Sequence, residues 1–177
     1  EMCIRDSEKA YLLETIDSTY VSSVGPFVDK FEEMMADLSG TSKAVAMVNG
    51  TSALQVALRL VGVNNGDEVI TQALTFVATV NAILYNNAHP IFIDVDLDTM
   101  GLSPRAVANF LDEFGEMRDG YCFNKKTNKK IAACMPTHTF GFPVHLDELT
   151  KVCDKWSIPI VEDAAESMGS EYKNRPI

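Results

Sequence analysis

Histidine, tryptophan and basic charge are scarce in this 177-residue chain: three His, one Trp, and 15 Lys plus Arg against 25 Asp plus Glu, for a net charge of −10. An acid excess of that size repels phosphate backbones and anionic headgroups, which argues against nucleic acid or a membrane surface as partner. No apolar run approaches the roughly 20 residues of a membrane span, so a soluble, cytoplasmic protein is expected. Cys3, Cys122, Cys134 and Cys153 are scattered, with no CxxC pair and no His at ligand spacing. Neither a metal site nor a disulfide framework is therefore expected, and buried reduced thiols are. A secretory leader is missing as well, because Glu1 to Ala10 is charged where an apolar stretch would be needed. Glu1–Ser7 has no initiator at position 1, fits poorly with the rest of the chain and reads as a non-native leader resembling translated adapter sequence.

What remains is ordinary globular material, 46% hydrophobic and 23% charged. Residues 8–40 read as two N-terminal helices. Leu12, Leu13 and Ile16 share a side of the first, and Pro26 opens a second that keeps Phe27, Phe31, Met34, Met35 and Leu38 at helical spacing until Gly40 ends it. Those apolar positions are expected to be core. From residue 41 the chain alternates. Strands are expected at 44–48, 68–71, 90–94, 131–136 and 159–162, and helices at about 52–61, 76–86, 104–114 and 146–156. This predicts an α/β fold, a mostly parallel doubly wound sheet with helices on both faces and its ligand at the carboxyl ends of the strands. Gly115–Lys130, with Asp119-Gly120 and a lysine cluster, reads as an exposed loop or hairpin whose charge is a solvated face.

Three features carry chemistry. Asn49-Gly50-Thr51-Ser52-Ala53-Leu54 lies where a strand would turn into a helix. Gly50 lets backbone approach a ligand, and the hydroxyls of Thr51 and Ser52 sit beside the free N–H groups of the first turn, which together make a phosphate cradle. Thr51 or Ser52 as a plain helix cap is the competing reading. Asp163 closes the apolar run Ile158–Val161, and a buried carboxylate there needs a partner, such as a protonated pyridine nitrogen. Bracing of a neighbouring loop is the alternative. With Phe76 as an aromatic able to stack on a flat ring, the three describe a site for pyridoxal 5'-phosphate.

The motifs Asn49–Leu54, Gly66–Ile70 with Thr75–Thr79, Phe92–Asp96 and Glu162–Ser167 resemble, in order, those of the DegT/DnrJ/EryC1/StrS sugar aminotransferases, fold-type I pyridoxal-phosphate enzymes. Val21–Val28, Asp98–Pro104, the lysine-rich insertion and Thr139–Pro143 are similar to the LegC-type branch, which aminates a UDP-4-keto-6-deoxy-N-acetylhexosamine toward legionaminic acid. The resemblance implies that Gly50, Thr51 and Ser52 bind the cofactor phosphate, Phe76 stacks on the ring, Asp163 pairs with the ring nitrogen and Glu166 lies near the ring 3-hydroxyl. It implies that His138 faces the cofactor and sugar pocket as a catalytic residue, a structural hydrogen-bonder being the alternative reading of a lone His there, with Gln72 and Asn81 as lesser pocket candidates. Glutamate as amino donor, alternating with the nucleotide sugar, and a homodimer with its active site at the interface are implied too.

One part of the family pattern is missing. The lysine that would hold the cofactor as a Schiff base comes after the Asp163 segment, past a small hairpin, and Lys173 falls on that hairpin instead. Residues 41–177 are accordingly expected to be part of a larger cofactor-binding domain, cut before the lysine and inactive alone. Poor solubility of the isolated piece is expected from exposed sheet edges and apolar helix faces. A sugar dehydratase of the same fold, with His in place of that lysine, and a lysine-less non-catalytic binding module are the alternatives.

Overall fold

The computed structural model describes residues 6–177; Cys3 lies outside the described residues. The chain forms two compact units that meet in sequence between Ala46 and Met47. The first holds α1 (Asp6–Asp17) and α2 (Pro26–Ser39), so a helix starts inside the stretch set aside as a leader. Pro26 occupies the first turn of α2, and Gly40 ends it at a φ of 64°, its N–H returned to the Asp37 carbonyl. The expected core of these helices is not there: Leu12, Leu13, Ile16, Phe31, Met34 and Leu38 are all exposed, and only Ala36 of α2 is buried. Two helices present each other one narrow stripe, here marked by the edge-to-face contact of Tyr11 and Phe27 with ring centroids 5.2 Å apart, and the rest of each apolar face stays open.

The second unit carries the sheet. Its strands are β1 (Glu68–Gln72), β2 (His89–Ile93), β3 (Gly115–Arg118), β4 (Tyr121–Asn124) and β5 (Lys129–Met135), in the order β2-β1-β5-β4-β3. β1 pairs in parallel with both β2 and β5, while β3, β4 and β5 are antiparallel. The helices are α3 (Gly50–Leu60), α4 (Val77–Tyr85), α5 (Pro104–Phe114) and α6 (Leu146–Lys155). A two-residue hairpin of β6 (Glu171–Tyr172) and β7 (Arg175–Pro176) stands apart from the sheet.

Successive residues of β1 feed opposite faces. Val69 joins Leu58 of α3 and Ala82 and Ile83 of α4 in one core; Ile70 joins Val107 and Leu111 of α5 and Leu149 and Cys153 of α6 in the other. Helices therefore cover both sides of a sheet in which β1 is buried throughout, as the alternating pattern predicts.

Two expected strands are corrected. Residues 44–48 form no strand, because no neighbouring strand among the described residues supplies a hydrogen-bonding edge, and Val45 and Val48 are exposed. Residues 159–162 meet β5 through a single parallel bridge, Cys134 to Ile160, and a second bridge just beyond both segments joins Thr137 to Asp163. The lysine-rich interval, in contrast, adds two strands to the sheet. Asp119 and Gly120 both take positive φ, 51° and 82°, the two-residue turn that suits the twist of a hairpin. Buried Asn124 then donates from Nδ2 to buried Glu68 Oε2 at 2.9 Å, tying the hairpin to β1.

Cys122, Cys134 and Cys153 are free and buried. Burial pushes the Cys122 thiol up to about 11, and a hydrogen bond with Cys153 together with burial raises Cys134 well above its ordinary value. These three thiols should react with a disulfide reagent at neutral pH only after denaturant is added; rapid native labelling of any of them would contradict the packing. Leu111→Ala, which empties a fully buried position on α5, should cost about 2–5 kcal/mol in urea unfolding.

Candidate active site

Asp163 is the buried charge at the carboxyl end of the sheet. Only 5% of it is exposed, so its oxygens must find donors within the protein. Thr79 Oγ1, fully enclosed on the first turn of α4, donates to Oδ2 at 2.6 Å, and the Ala165 N–H reaches Oδ1 at 3.3 Å. The backbone around Asp163 is held as firmly: its N–H donates to Pro136 O and its carbonyl accepts from the His138 N–H. Thr75 Oγ1 lies 2.6 Å from Thr79 Oγ1 and 2.9 Å from Thr137 Oγ1, so three hydroxyls from α4, the loop before it and the end of β5 run in series to one carboxylate. Sequence reasoning missed Thr75, Thr79 and Thr137; the trace they leave is a pair of threonines four apart at a helix start, which put their hydroxyls on one side.

Phe76 opens α4 and is 76% exposed, its ring free on the same turn that carries Thr79. The start of α3 is capped by Asn49, whose Oδ1 accepts the Ser52 N–H at 2.8 Å. Neither Thr51 nor Ser52 is the cap, and neither hydroxyl has a partner among the described residues. The N–H groups of Gly50 and Thr51 have no carbonyl within the helix to reach. A Cβ built on Gly50 meets no protein atom within 4 Å, so the space above this backbone is open. An anion would find there two backbone donors, two hydroxyls and the positive end of a helix. α3 and α4 lie side by side on one face of the sheet, linked by Asn86 Nδ2 donating to Gln55 O at 3.0 Å.

His138 departs from the expectation that it faces the pocket. Its side chain is 0% exposed and both ring nitrogens are taken: the Val144 N–H donates to Nδ1 at 3.3 Å, and Nε2 lies 2.9 Å from Glu162 Oε2. Since Nδ1 accepts, Nε2 carries the proton and donates it to Glu162. The ring is a clamp between β5 and the segment bearing Asp163, with no nitrogen free for substrate. Gln72 is likewise a staple, wholly buried, its Nε2 donating to Leu74 O and Thr139 Oγ1, both at 2.9 Å, and its Oε1 accepting from the Thr137 N–H. Glu166 is exposed and accepts the Phe140 N–H at 2.7 Å; Asn81 sits half-buried within α4.

Lys173 lies on the β6–β7 hairpin at a φ of 53°, its Nζ paired with Asp147 of α6. That hydrogen bond raises the Lys173 ammonium above its ordinary range and lowers Asp147. A carbonyl-trapping amine must shed its proton near neutral pH, so this lysine is held in the wrong state for a nucleophile. Asp96, Asp98 and His145, distant in sequence, carry ligating atoms within 4.8 Å of one another, a convergence that spacing could not reveal. His145 and Asp98 stand as an imidazole–carboxylate pair, Nε2 3.0 Å from Oδ2, and half-buried Asp96 beside them is held by Ser103 Oγ at 2.6 Å. The pairing lowers the Asp98 carboxyl. Among the described residues no helix is long and apolar enough to cross a membrane.

The Asp147 tie has a definite pH window. A lowered carboxyl contributes stability above its unfolded value, here 3.8, and loses it as pH falls through the folded value; the raised Lys173 contributes below 10.5 and loses it only above. Amides of the β6–β7 hairpin should therefore gain hydrogen-exchange protection between about pH 3 and pH 5, after correction for intrinsic rates, and Asp147→Asn should remove that gain.

Comparison with known proteins places this geometry among relatives. The model of the DegT/DnrJ/EryC1/StrS aminotransferase family matches residues 2–177. A protein of Bacillus subtilis (strain 168) named "Putative pyridoxal phosphate-dependent aminotransferase EpsN" is 38% identical over 168 residues, which are 95% of this chain and 41% of the relative. GDP-perosamine synthase of Escherichia coli O157:H7 is 35% identical over 95% of this chain and 42% of its own length. The chain thus spans about two fifths of the curated relatives it matches. Among solved structures, 3-amino-5-hydroxybenzoic acid synthase superimposes with a TM-score of 0.84 at 28% identity, covering 99% of this chain and 42% of that one. A parallel sheet with a donor-wrapped acid at its carboxyl end, and a family match along nearly the whole chain, lead to one conclusion: the chain belongs to the DegT/DnrJ/EryC1/StrS aminotransferase family.

Proposed function

We propose that this chain is the cofactor-binding part of a nucleotide-sugar aminotransferase that uses pyridoxal 5'-phosphate. The observation that carries the reading is Asp163: a buried carboxylate at the end of a parallel sheet, held by Thr79 on the helix that exposed Phe76 begins. The residues present fit the cofactor. Gly50, Thr51 and Ser52 offer unpaired donors and open space for its phosphate, Phe76 offers a ring face, and Asp163 retains lone pairs for a pyridine N–H.

When bound, the cofactor supplies an electron-withdrawing ring that carries an amino group between two substrates. The chain's residues do the positioning. The start of α3 anchors the phosphate by backbone and hydroxyl hydrogen bonds, and Asp163 keeps a positive charge on the ring nitrogen. His138 and Gln72 fix the loops around it. Phe140, Phe142 and Met168 are apolar and exposed, which supports their burial against a second copy in a homodimer.

The proposed substrate is a UDP-4-keto-6-deoxy-N-acetylhexosamine and the proposed donor glutamate, in the cytoplasm; the stretches Val21–Val28, Asp98–Pro104 and Thr139–Pro143 support that branch. The E. coli relative is named for a different nucleotide sugar, GDP-perosamine. Lys173 is bound to Asp147 and is not the proposed nucleophilic lysine.

Equilibrium titration with pyridoxal phosphate, monitored by its visible absorbance, tests the reading. Ser52→Ala should weaken binding about ten- to a hundredfold, the loss of one hydrogen bond to a charged group. Asp163→Asn should leave the far-ultraviolet circular dichroism unchanged, and in the complete protein should cut amination of the keto sugar by about a hundredfold or more. Normal turnover in that variant would remove the ring-nitrogen role.

A further inference from the structure

The geometry points to a directional hydroxyl relay, Thr137 to Thr75 to Thr79 to Asp163, whose task is to fix the orientation of the Asp163 carboxylate; Thr75, Thr79 and Thr137 are its positioning residues. This rests on the cofactor reading above and deepens it.

Counting protons sets the direction of the relay. An ionised carboxylate only accepts, so the 2.6 Å contact between Thr79 Oγ1 and Asp163 Oδ2 uses the one hydroxyl proton Thr79 has. At 2.6 Å from Thr75 Oγ1, Thr79 can then only accept, and the Thr75 proton is committed to it. Thr75 in turn can only accept across the 2.9 Å to Thr137 Oγ1, so that proton is committed as well. All three O–H dipoles point the same way, and such chains strengthen each member. Thr79 is 0% exposed and Thr137 6%, which limits water as a competing partner at both, while Thr75 between them is half-buried.

The relay has a firm far end. The Thr137 N–H is held by Gln72 Oε1 at 3.2 Å, and Gln72 Nε2 holds Thr139 Oγ1, which donates to Met100 O at 3.1 Å. The carboxylate is thereby referenced to three loops at the carboxyl ends of the strands. At its near end the relay occupies Oδ2, while Oδ1 carries, among the described residues, only the longer 3.3 Å contact from the Ala165 N–H. Oδ1 is the oxygen left with free acceptor capacity, and its direction is set by the hydrogen bond on its sister atom.

A structural hydroxyl would stabilise the fold and nothing more; a relay acting through Asp163 predicts coupling. The test is a pyridoxal phosphate titration of the chain in its complete reading frame, for wild type, Thr79→Val, Thr79→Ser, Thr75→Val, Asp163→Asn and the double variant Thr79→Val/Asp163→Asn, each checked by circular dichroism. Thr79→Val should weaken binding about five- to twentyfold and shift the visible band of the bound cofactor, and Thr79→Ser should restore both to within about twofold. In the Asp163→Asn background, Thr79→Val should add less than about twofold, because its route of action is already gone. Thr75→Val should give a weaker effect of the same sign, and it carries the test if Thr79→Val fails to fold. The relay is overturned if wild type binds the cofactor but Thr79→Val, or Thr75→Val in its place, binds and absorbs as wild type does, or if the Thr79→Val and Asp163→Asn effects simply multiply. Absence of any visible band with wild type would overturn the cofactor reading, and the relay with it.

Discussion

A carboxylate taken out of water costs several kcal/mol unless donors surround it, and the buried Asp163 sets that demand at the centre of this structure. Meeting it brings Thr79 on α4 and the Ala165 amide within hydrogen-bonding reach of its oxygens. Each of those elements is therefore placed by one charge. The residual acceptor capacity of the same carboxylate is what makes the position useful, since a fully satisfied acid would have nothing to offer a ligand.

The parallel sheet explains why the groups meet where they do. In β1, β2 and β5 the carboxyl ends point the same way, so the loops that leave them share one rim. A rim built from loops is loose unless something stitches it. Gln72 does so by joining the loops after β1 and β5, and His138 does so by spending both ring nitrogens on Val144 and Glu162. The rigidity of the site thus comes from buried polar side chains whose hydrogen bonds are all made.

Much of the fold was legible in the chain. The helix from Pro104 to Phe114 coincides with the expected range, and α3, β1, α4, β2 and α5 alternate in the expected order because periodicities of 2 and 3.6 are direct products of backbone geometry. The apolar stretch at 44–48 reads as a strand and is not one: a strand exists only by pairing, and pairing is not a local property. The apolar faces of α1 and α2 read as core and lie exposed for a related reason, since amphipathicity states that a face needs cover and not what covers it. His138 and Gln72 read as pocket groups because a polar residue at a strand end looks the same whether it faces ligand or protein.

By itself the sequence determined the class of the protein: an α/β chain with a family's motifs in order, an Asn-Gly-Thr-Ser helix start, and an acid closing an apolar run. Those are statements about neighbours along the chain, where backbone geometry and residue chemistry suffice. Tertiary structure alone decided that Lys173 is spent on Asp147 and that three threonine hydroxyls line up on Asp163. Thr79 and Asp163 stand 84 residues apart, and hydrogen bonds at that separation arise only once the sheet has brought its strand ends to a common rim.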